Sequence, residues 1–459
     1  MIVRLLLAGA ALTAVAVFGA PAHAAAAAPP LDLRAAVRYA LDHDPTVLNR
    51  RASVAQYEST FARFHAAEFP TLAGSLQNQV SKSHNASGGQ FSQFGLNPPQ
   101  VFSQNTAQIG STWNLYNGSL SQFQAQQAKR QVESSREDLR RAEQQLASDV
   151  AAAYYNVVQQ REAVRLGEGD RAYQQQLLDA ARVQERVGRA AGVDVLRAQV
   201  NELRSEASLT TARAAEANAR DTLAQRVGAP PDTPFAFPSE LPEPPAPKTP
   251  LETLVALAVG ARSDVASARA LVASARLADA AIDSDRRPQL QLTGSFGNSE
   301  SPAQMQFSGV PSLGPQRAGY WQIGATETLT IPFIEYGARR AAHRAARAQI
   351  DAALGTLAWT ESAVANDVRQ ALRAVQTAGT NLETQRLASR YGAESARIAQ
   401  LQYRNGLISL TDAAAAEQSA LSAANDLVVA RVNYLNALVR LRASVGVADP
   451  IAVVDLGAP

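Results

Sequence analysis

Two stretches of this chain each run for about seventy residues without a proline, from Asn117 to Val187 and from Tyr336 to Asn405. Each leaves a strand-like segment, TWNLYNG at 112–118 and LTIPFIEYG at 329–337, and each ends at a short glycine-bearing turn. A helix of that length reaches about 100 Å at 1.5 Å per residue. A compact domain has no use for such a rod, so a chain built around two of them spans something.

The two stretches belong to a duplication. Pro70 recurs as Pro288, Gly188 as Gly406 and Gly228 as Gly446, all at one identical separation, and Gly118 recurs as Gly337 a single position further on. Three landmark residues recurring at one spacing, and a fourth within one position of it, define a tandem repeat. The seam recurs with them. Leu146, Val150, Ala153, Val157 and Val164 reappear at that same separation as Val364, Val368, Ala371, Val375 and Leu382. Their 4-3-4-7 spacing is that of a coiled-coil-like wall with small knobs.

Within each half the order is the same. Residues 31–64 read as two helices broken at Pro45, followed by the alternating strand 71–83 and a Gly/Asn/Ser/Pro-rich loop, 84–104. A second strand follows, with Ile109, Trp113 and Leu115 on one face; then come the long helix, the turn 188–194 and a return helix to Val227. The second half repeats this with helices over about 251–260 and 263–286, strands at 289–297 and 320–333, the long helix, a turn at 405–412 and a final helix to Val445. The expected divisions are a leader, 1–24, a first repeat, 25–227, a linker with nine prolines, 228–250, a second repeat, 251–446, and a tail, 447–459.

Arg4, the apolar run Leu5–Val17 and Ala22-His23-Ala24 have the form of a secretory signal with cleavage after Ala24. The apolar run falls short of the roughly 20 residues a membrane helix needs, and no later run approaches that length. A chain of this pattern enters a membrane with strands or not at all. Its net charge of +2, without a basic block, gives no nucleic-acid footprint. There is no cysteine, and five histidines (23, 43, 65, 84 and 343) show no metal-ligand spacing, so nothing points to catalysis, a cofactor or a metal.

The strands are long enough to cross a bilayer when tilted. They alternate apolar residues with Gln, Ser, Thr and Asn, which suits lipid on one face and water on the other. In the last strand Trp321, Ile323, Ala325, Leu329, Ile331 and Phe333 share a face that Glu327 interrupts. Four strands cannot close a barrel, and open edges cannot sit in lipid. Several chains must pool their strands: two give eight and a packed interior, three give twelve and a hollow one.

The stretches LDLRAAVRYALDHDP (31–45), LTIPFIEYGARR (329–340) and QYRNGLISLTDAAAAEQ (402–418), set in this duplicated plan, resemble the outer-membrane efflux protein family typified by TolC. The resemblance covers essentially the whole chain beyond the leader. It implies an α+β membrane fold: a homotrimer with a twelve-stranded barrel in outer-membrane lipid and a long antiparallel coiled-coil-like helical tunnel. It also implies a closable periplasmic tip that docks an adaptor protein and is opened with an inner-membrane pump. On that resemblance, Gly188, Gly192, Gly406 and Leu407 lie at the helix turns where an adaptor docks. Asp194, Tyr403 and Asp412 match tip residues that hold the entrance shut, while Asp194 and Asp412 also suit helix capping. Ile408 and Ala415 depart from the family pattern, which carries an arginine and an acid there; Arg186, Arg189 and Arg404 are the substitutes at hand. The expected function is a passive exit duct for efflux or type I secretion. A periplasmic coiled-coil structural or adhesin-like protein accounts for the helices but not the strands, and a nutrient porin for the strands but not the helices.

Overall fold

The computed structural model describes residues 31–83, 100–188, 191–238, 247, 249–303, 316–333 and 337–447. The leader with Ala24 lies outside them, as does Arg189.

The first repeat contains α1 (Leu33–His43), α2 (Pro45–Ala66), β1 (Thr71–Ser83), β2 (Gln100–Asn117), α3 (Leu120–Arg186) and α4 (Gly192–Val227). The second contains α5 (Leu251–Ala261), α6 (Ser263–Ile282), a 3-10 turn (Asp283–Arg286), β3 (Gln289–Ala303), β4 (Gln316–Thr330), α7 (Ala338–Arg404) and α8 (Leu410–Val445). The two long helices, α3 and α7, are both 67 residues long, which makes each about 100 Å.

Local chemistry sets the breaks. Asp32 caps α1 by accepting from the Ala35 N–H at 2.7 Å. Asp44 caps α2 by accepting from Thr46 and Val47 at 2.8 and 3.1 Å. Pro45 therefore opens a helix as well as ending one, because the first helical position needs no N–H. The six glycines with positive φ, at 118, 188, 228, 337, 406 and 446, occupy matching sites in the two repeats. At Gly406 the φ of +74° lets Leu407 N–H reach back to Gln402 O at 2.9 Å, closing the end of α7.

The four strands form one antiparallel sheet in the order β1-β2-β3-β4. Thr71 faces Thr112, Thr112 faces Thr293 and Thr293 faces Thr326, so a threonine row crosses the sheet. The opposite face carries Leu72, Leu76, Ile109, Trp113, Leu292, Phe296 and Ile323, and most of these side chains are exposed. No helix among the described residues is long and apolar enough to cross a membrane.

Several strand limits differ from expectation. β2 begins at Gln100 inside the expected loop, and β3 and β4 extend to Ala303 and from Gln316. β4 stops at Thr330, so Ile331–Phe333 lie outside the strand. Leu115 does not continue the regular Ile109–Trp113 face, because the register with β3 shifts between Asn114 and Tyr116 and leaves Leu115 as the extra residue. Residues 283–286 leave the α-helix as a 3-10 turn.

The duplicated seams are buried. Val150 and Val157 pack with α1, α4 and α8, and Val364, Val368, Val375 and Leu382 pack with α5 and α8. Ala153 and Ala371 are half-buried beside them. The proline-rich linker is pinned to this core. Leu31 N–H donates to Pro234 O at 3.0 Å, and the Tyr154 hydroxyl donates to Ala236 O at 2.6 Å. Burial pushes the Tyr154 hydroxyl up to about 12. At the junction of α5 and α6, Arg262 lies 2.6 Å from Asp264 and 3.1 Å from Asp367 of α7. It ties the short helices to the long one.

Candidate functional site at the glycine turns of the long helices

The ends of α3 and α7 farthest in sequence from the strands meet the starts of α4 and α8. Leu177, Leu178 and Ala181 of α3, Val195 and Ala198 of α4, Tyr403 of α7 and Leu410 and Ala413 of α8 form one buried cluster. Ile408 packs against it, so this position contributes apolar contact. Gln184 Nε2 donates to Tyr403 O at 3.2 Å and joins α3 to α7.

The residues singled out from sequence divide as follows. Tyr403 is only 3% exposed, and its hydroxyl has no hydrogen-bond partner among the described residues. Burial raises its pKa, and the Asp194 carboxylate across the turn raises it further. Asp194 lies in the first turn of α4, where a carboxylate suits the helix dipole; among the described residues it pairs with Arg197 at 4.0 Å.

Asp412 belongs to a capping box. Ser409 Oγ donates to Asp412 Oδ2 at 2.7 Å and accepts from Asp412 N–H at 3.2 Å. Ser409 is thus the N-cap and Asp412 the third residue of the helix, so Asp412 takes part in the capping from inside the first turn rather than as the cap itself. The S-x-x-D spacing is the usual mark of such a box.

Gly188 and Gly406 are there for backbone conformation, since a Cβ at either meets nothing within 4 Å. Gly192 has a different part. It is the first residue of α4, so the turn is shorter than 188–194. Leu407, just past the end of α7, is 71% exposed, and Val187, Val193 and Leu196 around the other turn are exposed too. A groove of about 650 Å³ runs between α4 and α8, lined by Val193, Leu196, Val200, Leu410 and Ala414. Of the candidate arginines, Arg404 reaches Gln176 at 3.5 Å, and Arg186 bonds only the carbonyl of Arg182 at 3.4 Å.

One group was not foreseen. Burial, and then Asp170, raise the pKa of Glu417 on α8. Burial and the same two acids push the facing Tyr173 hydroxyl up to about 12, with Arg404 opposing them. Glu417 lies within a stretch already quoted, but nothing in its spacing marks it as half-buried.

A four-stranded sheet with one largely apolar face, open at both edges among the described residues and joined to helices of about 100 Å, is the architecture of a membrane-channel subunit rather than of a compact domain. Residues 36–229 and 254–447 each match the family described as Outer membrane efflux protein. The chain belongs to that family and is an outer-membrane efflux protein. It is 27% identical over 383 residues to the outer membrane efflux protein BepC of Brucella suis biovar 1 (strain 1330), covering 80% of this chain and 77% of that one. Its fold is that of the CmeC outer membrane channel of Campylobacter jejuni (TM-score 0.72, 17% identity, covering 91% and 86% of the two chains). It is also that of the open state of the MtrE outer membrane channel of Neisseria gonorrhoeae (TM-score 0.69, 20% identity, covering 91% and 89%).

Proposed function

We propose that three copies pool their strands into a twelve-stranded barrel in outer-membrane lipid, and that their long helices continue it as a tunnel through the periplasm. The observation that carries this reading is the sheet's own design. Among the described residues its β1 and β4 edges are unpaired, one face is largely apolar, and Gln, Ser and Thr line the other. Lipid does not tolerate unpaired strand edges.

The duct is passive. An inner-membrane pump supplies energy, and a periplasmic adaptor docks at the exposed end formed by Gly188, Gly192, Gly406 and Leu407. Closure of the entrance rests on Tyr403 and Asp194, with Asp412 holding the start of α8 in shape. Because Ile408 replaces a charged tie, the closed tip depends on apolar packing around Tyr403 more than on ion pairs.

Planar-bilayer recording of the purified protein tests this. A low basal conductance that rises severalfold in Tyr403→Ala supports the reading. A wide, voltage-independent pore in both proteins overturns the assignment of the gate.

A further inference from the structure

Glu327 interrupts the apolar face of β4 as a carboxylate, exposed and without hydrogen bond or ion pair among the described residues. On that face it is flanked by Trp321, Ile323, Ala325 and Leu329. The corresponding face of β1, the other open edge, carries Leu72, Gly74, Leu76 and Val80, with Asn78 as the one polar residue among them. Asn78 is also exposed, and its side chain makes no bond among the described residues. Each edge strand therefore has a polar position between apolar neighbours along the strand on its lipid-facing side; within the chain Asn78 stands opposite Asn105 of β2, and Glu327 opposite Leu292 of β3.

The duplication says where the two fall. In the first hairpin Thr71 faces Thr112, and in the second Gln289 faces Thr330, so both strands of the hairpin recur at the spacing of the repeat. The contact between the hairpins, β2 against β3, is observed within the chain. Carried forward by one repeat, it becomes β4 against β1 of a neighbouring copy. Ile109 faces Phe296 in the observed contact; the repeat equivalents of those positions are Glu327 and Asn78.

We infer that Glu327 accepts a hydrogen bond from the Asn78 amide of the neighbouring copy, fixing the strand register between subunits. The apolar pair inside the chain is replaced on both strands at once by a carboxylate and an amide. Directly opposed Cβ atoms lie about 4.5–5.5 Å apart, within reach of such a bond. A charge-assisted bond is among the stronger kinds, and it removes the cost of a lone carboxylate facing lipid. The flanking pairs in this register are apolar: Leu329 with Leu76, and Ala325 with Val80. It also gives Ile331, outside the strand in a single chain, a place opposite Gly74 of the neighbour.

This inference rests on the pooling of strands proposed above, and disulfide trapping separates the two. The chain contains no cysteine. Asn78→Cys with Glu327→Cys, oxidised in outer-membrane vesicles, is expected to give covalent dimers and trimers. Their yield is expected to be at least tenfold above that of Leu76→Cys or Val80→Cys, each combined with Glu327→Cys. Stronger trapping in either shifted pair, or none in any pair from a particle of trimeric native mass, overturns the register while leaving the assembly intact. A monomeric native mass for the unmodified chain overturns the assembly and the register together. As a check without cysteines, Asn78→Asp lowers the temperature at which the oligomer dissociates, and adding Glu327→Asn restores it. An unchanged dissociation temperature in Asn78→Asp contradicts the bond.

Discussion

Ser409 and Asp412 hold one another across the first turn of α8, each side chain engaging the other residue's backbone N–H, at 3.2 and 3.4 Å. The Asp412 carboxylate is thus committed to helix geometry. Ser409→Ala is expected to cost about 1 kcal/mol of local stability, the usual value of an N-cap. Hydrogen exchange over the first turns of α8 measures it, and faster exchange confined to that end is the expected outcome.

Tyr403 gives a sharper contrast. Its hydroxyl has no partner among the described residues, whereas its ring is buried against α3, α4 and α8. Tyr403→Phe therefore leaves basal conductance close to that of the unmodified protein. Tyr403→Ala empties the cluster, at a cost of roughly 3–5 kcal/mol for a large buried ring, and raises conductance. Equal conductance in the two variants contradicts closure by packing.

Glu417 makes the tip sensitive to pH. Its pKa is raised in the fold, by burial and then by Asp170, so the folded tip holds its proton to higher pH than the unfolded chain does. Stability is therefore greatest below the ordinary carboxylate pKa and falls as pH climbs through the raised value. Thermal unfolding measured from pH 4 to 8 should show this decline, and Glu417→Gln should flatten it.

Arg262 is 14% exposed and Asp264 12%, in a tie that reaches α7 through Asp367. Removing the arginine strands a mostly buried carboxylate. Arg262→Ala is expected to lower stability by about 3 kcal/mol, read as a drop in the denaturant midpoint. Asp367→Asn, which alters a half-exposed carboxylate, costs much less.

The repeat, the long helices and the two-faced strands were legible because each rests on spacing: glycines where the chain turns left-handed, and alternation where one face meets lipid. Strand limits were not. β3 continues into NSES, where consecutive polar residues erase the alternation while backbone pairing persists, and β2 begins at QVFSQ, where two adjacent apolar residues break it. The bulge at Leu115 is a single inserted residue, and nothing in TWNLYN announces it. At the tip the glycines and Tyr403 were visible, but ISLTD offers three candidate caps, and only the backbone geometry selects Ser409. Arg262 was missed for a related reason, since one of its two acids lies two residues away and the other more than a hundred.

In the proposed assembly this chain is one of three subunits sharing a barrel and a tunnel. Native mass measurement of protein extracted from outer membranes, combined with low-resolution imaging, tests it most directly. The expected particle has three times the mass of one chain and forms a threefold cylinder well over about 100 Å long, as helices of that length joined to a barrel require. A monomer recovered in the soluble periplasmic fraction contradicts it.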